Sequence, residues 1–357
     1  MDAILKRLFT SSLSLIAIAC PLIANNAITK DTISFPKEIA IKGKPISFNI
    51  PSKPVKHEIG IIFHNGFIVY KNTDEPLRVL DVNKKKVFAE LGTWGEYPAP
   101  YFNPHICMPG NDSILCYIED GGKIDRVNMK GKIEKTAERS YSWEHEYGGN
   151  LVGIINNFVD LGNKEWLFAG KSKNGQSIYI TKNSGKKAVT EEVLPLDIEA
   201  NRKDWQIYMG YFAARKDRKK AVYAYSYYHT IQFIDLDKKT MHRVNLGGKG
   251  FDYKTLYEAD HHNLNAAYYR WCCPGEKYVY FLQQNGRLGN QMKKDNAKGN
   301  TYVYIEQFDW EGNPIQKIKL DKFGYFFCVD EKNGKLYLVE KRNTGSPFYE
   351  YDIPIPQ

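Results

Sequence analysis

At 357 residues the chain exceeds one core of average domain size yet suits one large repetitive β domain. Hydrophobic residues make up 43% and charged residues 25%, which excludes compositional disorder, and a mean hydropathy of −0.50 excludes a polytopic membrane protein. The 50 Lys and Arg outnumber the 41 Asp and Glu, but they are dispersed and often in turns, so the net charge of +9 reads as a solvated surface and no nucleic-acid partner is expected.

The first predicted element is an export signal. Lys6 and Arg7 precede an apolar stretch from Leu8 to Ala24, diluted by Thr10, Ser11, Ser12 and Ser14 and broken by Pro21, which fits a cleaved leader better than a membrane span. Residues 1–24 are therefore read as a signal peptide and 30–357 as one domain. Ala17-Ile18-Ala19 before Cys20 resembles a lipobox, with Ala17 where Leu is usual. Two outcomes stay open: lipidation of Cys20 after cleavage at Ala19, or ordinary cleavage near Ala24 or Ala27. Cleavage after residue 19 lowers the net charge from +9 to +8.

Aromatic residues reach 14%, with 25 Tyr and 18 Phe, and favour pleated strands. Glu38–Ile41 and Pro45–Phe48 are the first strand candidates, followed by Gly60–Phe63 and Phe67–Tyr70 around the turn-like His64-Asn65-Gly66. A triplet of alternating hydrophobic and polar residues before a polar turn then recurs: Leu80-Asp81-Val82, Val127-Asn128-Met129, Ile180-Thr181-Lys182, Ile234-Asp235-Leu236, Phe308-Asp309-Trp310 and Tyr351-Asp352-Ile353. The average spacing is about 54 residues, near the length of a four-stranded propeller blade. Ala221–Tyr225, Tyr278–Leu282 and Tyr302–Ile305 supply further strands, Tyr253 to Trp271 has room for a short helix, and Gln283 to Asn300 reads as an inserted loop.

After the sixth triplet the last module holds only three candidate strands, Tyr325–Val329, Lys335–Val339 and Phe348–Asp352. One of the two N-terminal candidates would complete it. The predicted fold is thus all-β, a six-bladed β-propeller closed by an N-terminal strand completing the last blade, which removes exposed sheet edges.

With that order of motifs the chain resembles the six-bladed, TolB-like β-propellers of exported Bacteroides-type proteins and lipoproteins, many without assigned function. The residues that carry the resemblance are Leu91-Gly92-Thr93-Trp94-Gly95-Glu96-Tyr97-Pro98, Gly153 to Val159, Phe308 to Pro314, Phe326 to Asp330 and Lys335-Leu336-Tyr337. Thr93, Trp94, Glu96 and Tyr97 depart from the glycine-rich loop that relatives often carry. The resemblance implies a propeller in the cell envelope, in the periplasm or at the outer membrane, and carries over no catalytic residue.

Chemistry-bearing residues are few. Trp143-Glu144-His145-Glu146-Tyr147 joins carboxylates, imidazole and aromatics; Trp143, His145 and Tyr147 are candidate ligand contacts, against an exposed strand or inter-blade link. Asp260, His261 and His262 form the densest donor cluster, read as a solvated loop with metal binding as the sharper alternative. The aromatics Tyr223, Tyr225, Tyr227, Tyr228, Tyr268, Tyr269 and Trp271 pack between blades by default, or line a funnel rim that stacks on glycan or peptide. Cys107 and Cys116 flank a turn, as a cross-hairpin disulfide or as two buried thiols, and the neighbours Cys272 and Cys273 would point to opposite strand faces. No phosphate cradle, nucleophile elbow or cofactor motif is present in the sequence, so no cofactor is expected. The function these features support is a noncatalytic binding or scaffolding module for a protein, peptide or glycan, meeting a membrane only through a lipid anchor; the alternative is a metal-dependent hydrolase or lactonase with its site in the channel.

Overall fold

The computed structural model describes residues 33–50, 58–72, 76–91, 105–106, 114–119, 123–128, 134–137, 152–163, 165–172, 175–183, 188–196, 209–297, 302–340 and 348–356. These residues form an all-β propeller in which six sheets make a ring. In chain order, the first sheet holds β3 (Glu58–His64), β4 (Phe67–Asn72), β5 (Leu77–Asp81) and β6 (Lys86–Leu91). The second holds β7 (His105–Ile106), β8 (Ile114–Glu119), β9 (Lys123–Asn128) and β10 (Glu134–Ala137). The third holds β11 (Val152–Gly162), β12 (Glu165–Ser172), β13 (Gly175–Asn183) and β14 (Ala188–Pro195). The fourth is β15 (Gly210–Ala214), β16 (Lys220–Tyr225), β17 (Thr230–Asp235) and β18 (Thr240–Asn245). The fifth contains β19 (Ala266–Pro274), β20 (Tyr278–Leu288), β21 (Val303–Asp309) and β22 (Pro314–Leu320). The last contains β23 (Gly324–Asp330), β24 (Lys335–Glu340) and β25 (Phe348–Asp352).

The recurring triplets end the third strands of their sheets, and the polar residue at their centre has a physical task. Asp81 Oδ1 accepts the Lys84 backbone N–H at 2.9 Å, Asp235 Oδ1 that of Lys238 at 3.0 Å, and Asp309 Oδ1 those of Glu311 and Asn313 at 2.9 and 2.8 Å. Each carboxylate ties the start of its turn to its far side, so the chain reverses in register. The His64-Asn65-Gly66 turn is also as expected: Asn65 and Gly66 have φ of 49° and 85°, which a tight two-residue hairpin requires.

Both N-terminal strand candidates are strands, with separate partners. β2 (Lys44–Ile46) pairs antiparallel with β25 in the last sheet, whereas β1 (Glu38–Ile41) runs parallel to β22 as a fifth strand of the fifth sheet. Ahead of β1, Phe35 packs edge-on against Phe308 at 5.2 Å. The first strands of the sheets neighbour one another in chain order, and β23 lies against β3.

Central strands are buried on both faces, as in β5 and β16, because each sheet is covered by a neighbour on either side. Cys272 belongs to the apolar cluster shared by the fourth and fifth sheets, Cys273 to the other, so the adjacent thiols do face opposite ways. One expectation is corrected. Gln283 to Asn300 is not an inserted loop through its described part: β20 runs on to Leu288, re-pairing Arg287 and Leu288 with Ala267 and Ala266, and helix α2 (Gly289–Ala297) follows. The segment from Tyr253 to Trp271 does hold a short helix, the one-turn α1 (His261–Leu264), after a 3-10 turn at Tyr253–Thr255 and before β19 begins. Cys107 lies outside the described residues, and with it the question of a bond to Cys116.

Candidate functional site

The first strands of three neighbouring sheets bring aromatic side chains together. Trp271 on β19 meets Phe326 on β23 at 4.9 Å and Tyr211 on β15 at 5.9 Å, both edge-on. Its indole reaches past β23 to β3, where a Cβ at Gly60 would come within 2.9 Å of the six-membered ring; Gly60 also has a φ of 138°, which an L side chain rarely adopts. The Trp271 Nε1–H is buried without a hydrogen-bond partner.

Two residues further along the same strands, one pleat repeat of about 7 Å, Ile62 and Cys273 enter the wall of a cavity of about 680 Å³. Its remaining lining comes from the ends of the first strands of four sheets, the turns after them and the chain after β25: Phe63 to Asn65, Ala214 and Lys216, Pro274 to Lys277, Val329, Glu331, Lys332 and Gly334, and Ile353 and Ile355. Burial pushes the Cys273 thiol up to about 12, so it is a thiol wall at neutral pH rather than a nucleophile.

One carboxylate organises the rim. Glu331, in the β23–β24 turn, reaches across to the β19–β20 turn, where Oε2 accepts the backbone N–H groups of Glu276 and Lys277 at 2.7 and 2.8 Å. Its Oε1 accepts the Tyr278 N–H and the Tyr280 hydroxyl, both at 3.0 Å. Gly275 permits this approach, since a Cβ there would meet Oε1 at 2.4 Å. With four donors the Glu331 carboxylate is saturated, and the clasp fixes exposed Lys277 and Lys332 on the same rim.

The residues singled out in the sequence lie elsewhere. Trp143, His145, Tyr147 and Cys20 fall outside the described residues. Asp260 precedes α1 and makes no side-chain cap, and His261 and His262 lie on that helix, not in a loop. Their rings stand 3.8 Å apart; His261 Nδ1 sits 3.1 Å from the Glu258 carbonyl and His262 Nδ1 against the Tyr227 hydroxyl. Partial burial, then the nearby His261 and Arg270, lower the pKa of His262. Among the described residues no three His, Cys, Asp or Glu side chains converge as metal ligands, there or at the cavity. Tyr223, Tyr225, Tyr227, Tyr228, Tyr268, Tyr269 and Trp271 are all buried, so they do not form an exposed rim.

Sequence reading missed the cavity residues because they come from four separate turns. A signal existed in their repetition: Lys216, Lys277 and Lys332 each follow a first strand by two or three residues.

This ring of sheets defines a β-propeller. Residues 159–332 match the TolB-like 6-blade propeller-like family, as the resemblance in the sequence implies. Among solved structures, a member of the DUF4221 family from Bacteroides vulgatus is similar with a TM-score of 0.59 and 11% identity, covering 87% of this chain and 95% of that one. Regucalcin from Agrobacterium tumefaciens, a calcium-binding protein, has a TM-score of 0.49 and 12% identity over 89% of this chain and 95% of its own. At these identities the likeness is one of fold alone. No curated protein matches in sequence.

Proposed function

We propose that the protein is a noncatalytic binding module of the cell envelope, a closed six-bladed propeller whose protein, peptide or glycan partner places a group in this cavity. The cavity itself carries the reading: about 680 Å³ falls inside the roughly 300–1,000 Å³ range of ligand pockets. Its lining joins apolar side chains such as Ile62, Val329 and Ile353 to polar groups from the turns. Saturation of Glu331 by four donors supports binding over acid–base chemistry, because a carboxylate committed to holding two turns together has no lone pair free for a substrate proton. Pairing of β2 with β25 and the contact of β23 with β3 support a closed ring, and Lys6, Arg7 and the apolar stretch to Ala24 support export.

The test is cavity filling. Ala214→Leu places a larger side chain in the cavity wall; native mass spectrometry of protein purified from the envelope fraction should find a co-purifying guest on the parent and lose it on the variant. Equal occupancy of both would place binding elsewhere.

A further inference from the structure

Resting on that reading, we propose that the group taken into the cavity is an apolar chain ending in a carboxylate or phosphate. Part of the wall is hydrocarbon and sulfur, made by Ile62, Val329, Ile353, Ile355 and Cys273. Nothing on that part offers a charge, so the inserted portion is apolar.

The mouth has a different character. Lys277 and Lys332 extend from adjacent turns, and among the described residues their ammonium groups have neither carboxylate nor hydrogen-bond partners. Lys216 stands on the same rim. The lining holds two carboxylates, Glu276 and Glu331, and Glu331 is already committed to four donors. A positive rim above an apolar pit favours a ligand with charge at one end, because the anion stays near solvent while its chain leaves water.

Octanoate, octyl phosphate, octanol and octylamine would be titrated calorimetrically into the full chain, with methylmercury labelling of Cys273 as the reporter of cavity occupancy. Octanoate or octyl phosphate should bind tightest and slow labelling, the preferred one of the two separating carboxylate from phosphate sources. Lys277→Gln and Lys332→Gln should each weaken the anions by about three- to fivefold, the range of one exposed charge pair, and leave octanol unchanged. Both lysines lie on exposed turns, so unchanged thermal unfolding of the variants is the folding control. Octanol or octylamine protecting Cys273 as well as the anions would overturn the anionic end while leaving the cavity as a binding site. Failure of all four probes to protect Cys273 would overturn both readings.

Discussion

Glu306 is fully buried on β21 between the fourth and fifth sheets. Burial alone opposes its charge and is the largest single influence, but His229 Nε2 at 3.2 Å, Lys317 Nζ at 3.3 Å and the Tyr269 hydroxyl at 2.7 Å together hold its pKa below the usual value. Lys317 is itself seated over the Tyr304 ring at 4.4 Å. A carboxyl with a depressed folded pKa adds stability above its unfolded pKa and gives it up as pH falls through the folded one. Glu306→Gln should therefore lose about 3 kcal/mol at neutral pH, because Lys317 and His229 keep their buried places without the anion. Denaturant titrations from neutral pH down into the carboxylate range should show a shallower acid loss for the variant than for the parent; parallel curves would refute the assignment. The sequence does not single out Glu306. It reads as one more polar position in Tyr304-Ile305-Glu306-Gln307, and its partner His229 is 77 residues away.

Among elements, the N-terminal strap has the largest leverage. β1 covers the edge of β22 and β2 the edge of β25, so one short stretch clasps the two sheets that end the chain. Gly43, between the two strands, donates its N–H to Asp321 at 2.9 Å and fits against the Tyr351 ring. Deleting residues 25–46 should expose both edges, lower the thermal midpoint and cause concentration-dependent association in sedimentation velocity. Deletion of 25–32 alone, which stops before Ile33 and Phe35, should change neither; equal behaviour of the two truncations would show that the strap does not hold the ring. The need for a fourth strand in the last sheet was legible from counting strands between Tyr325 and Asp352. The parallel fifth strand was not, because nothing in Glu38-Ile39-Ala40-Ile41 specifies which of two open edges it joins.

For the molecule as a whole, the proposed envelope location and binding role meet at the terminus, where a lipid on Cys20 would act as a tether. If Cys20 carries lipid, Cys20→Ala should move the protein from the membrane to the soluble fraction, whereas unchanged fractionation would favour simple cleavage and release. Among the described residues no helix is long and apolar enough to cross a membrane.

Strand content, the six triplets and their turns were determined by the sequence itself, since alternation of apolar and polar residues and an Asp able to cap its own turn act over a few residues. The tertiary structure alone decided the site. Trp271 reaches β3 only because Gly60 leaves room for it, and Lys277 shares a cavity with Lys332 where Glu331 binds the neighbouring turn. Those are contacts between residues far apart in the chain, set by how sheets pack in a ring, and no local pattern encodes them.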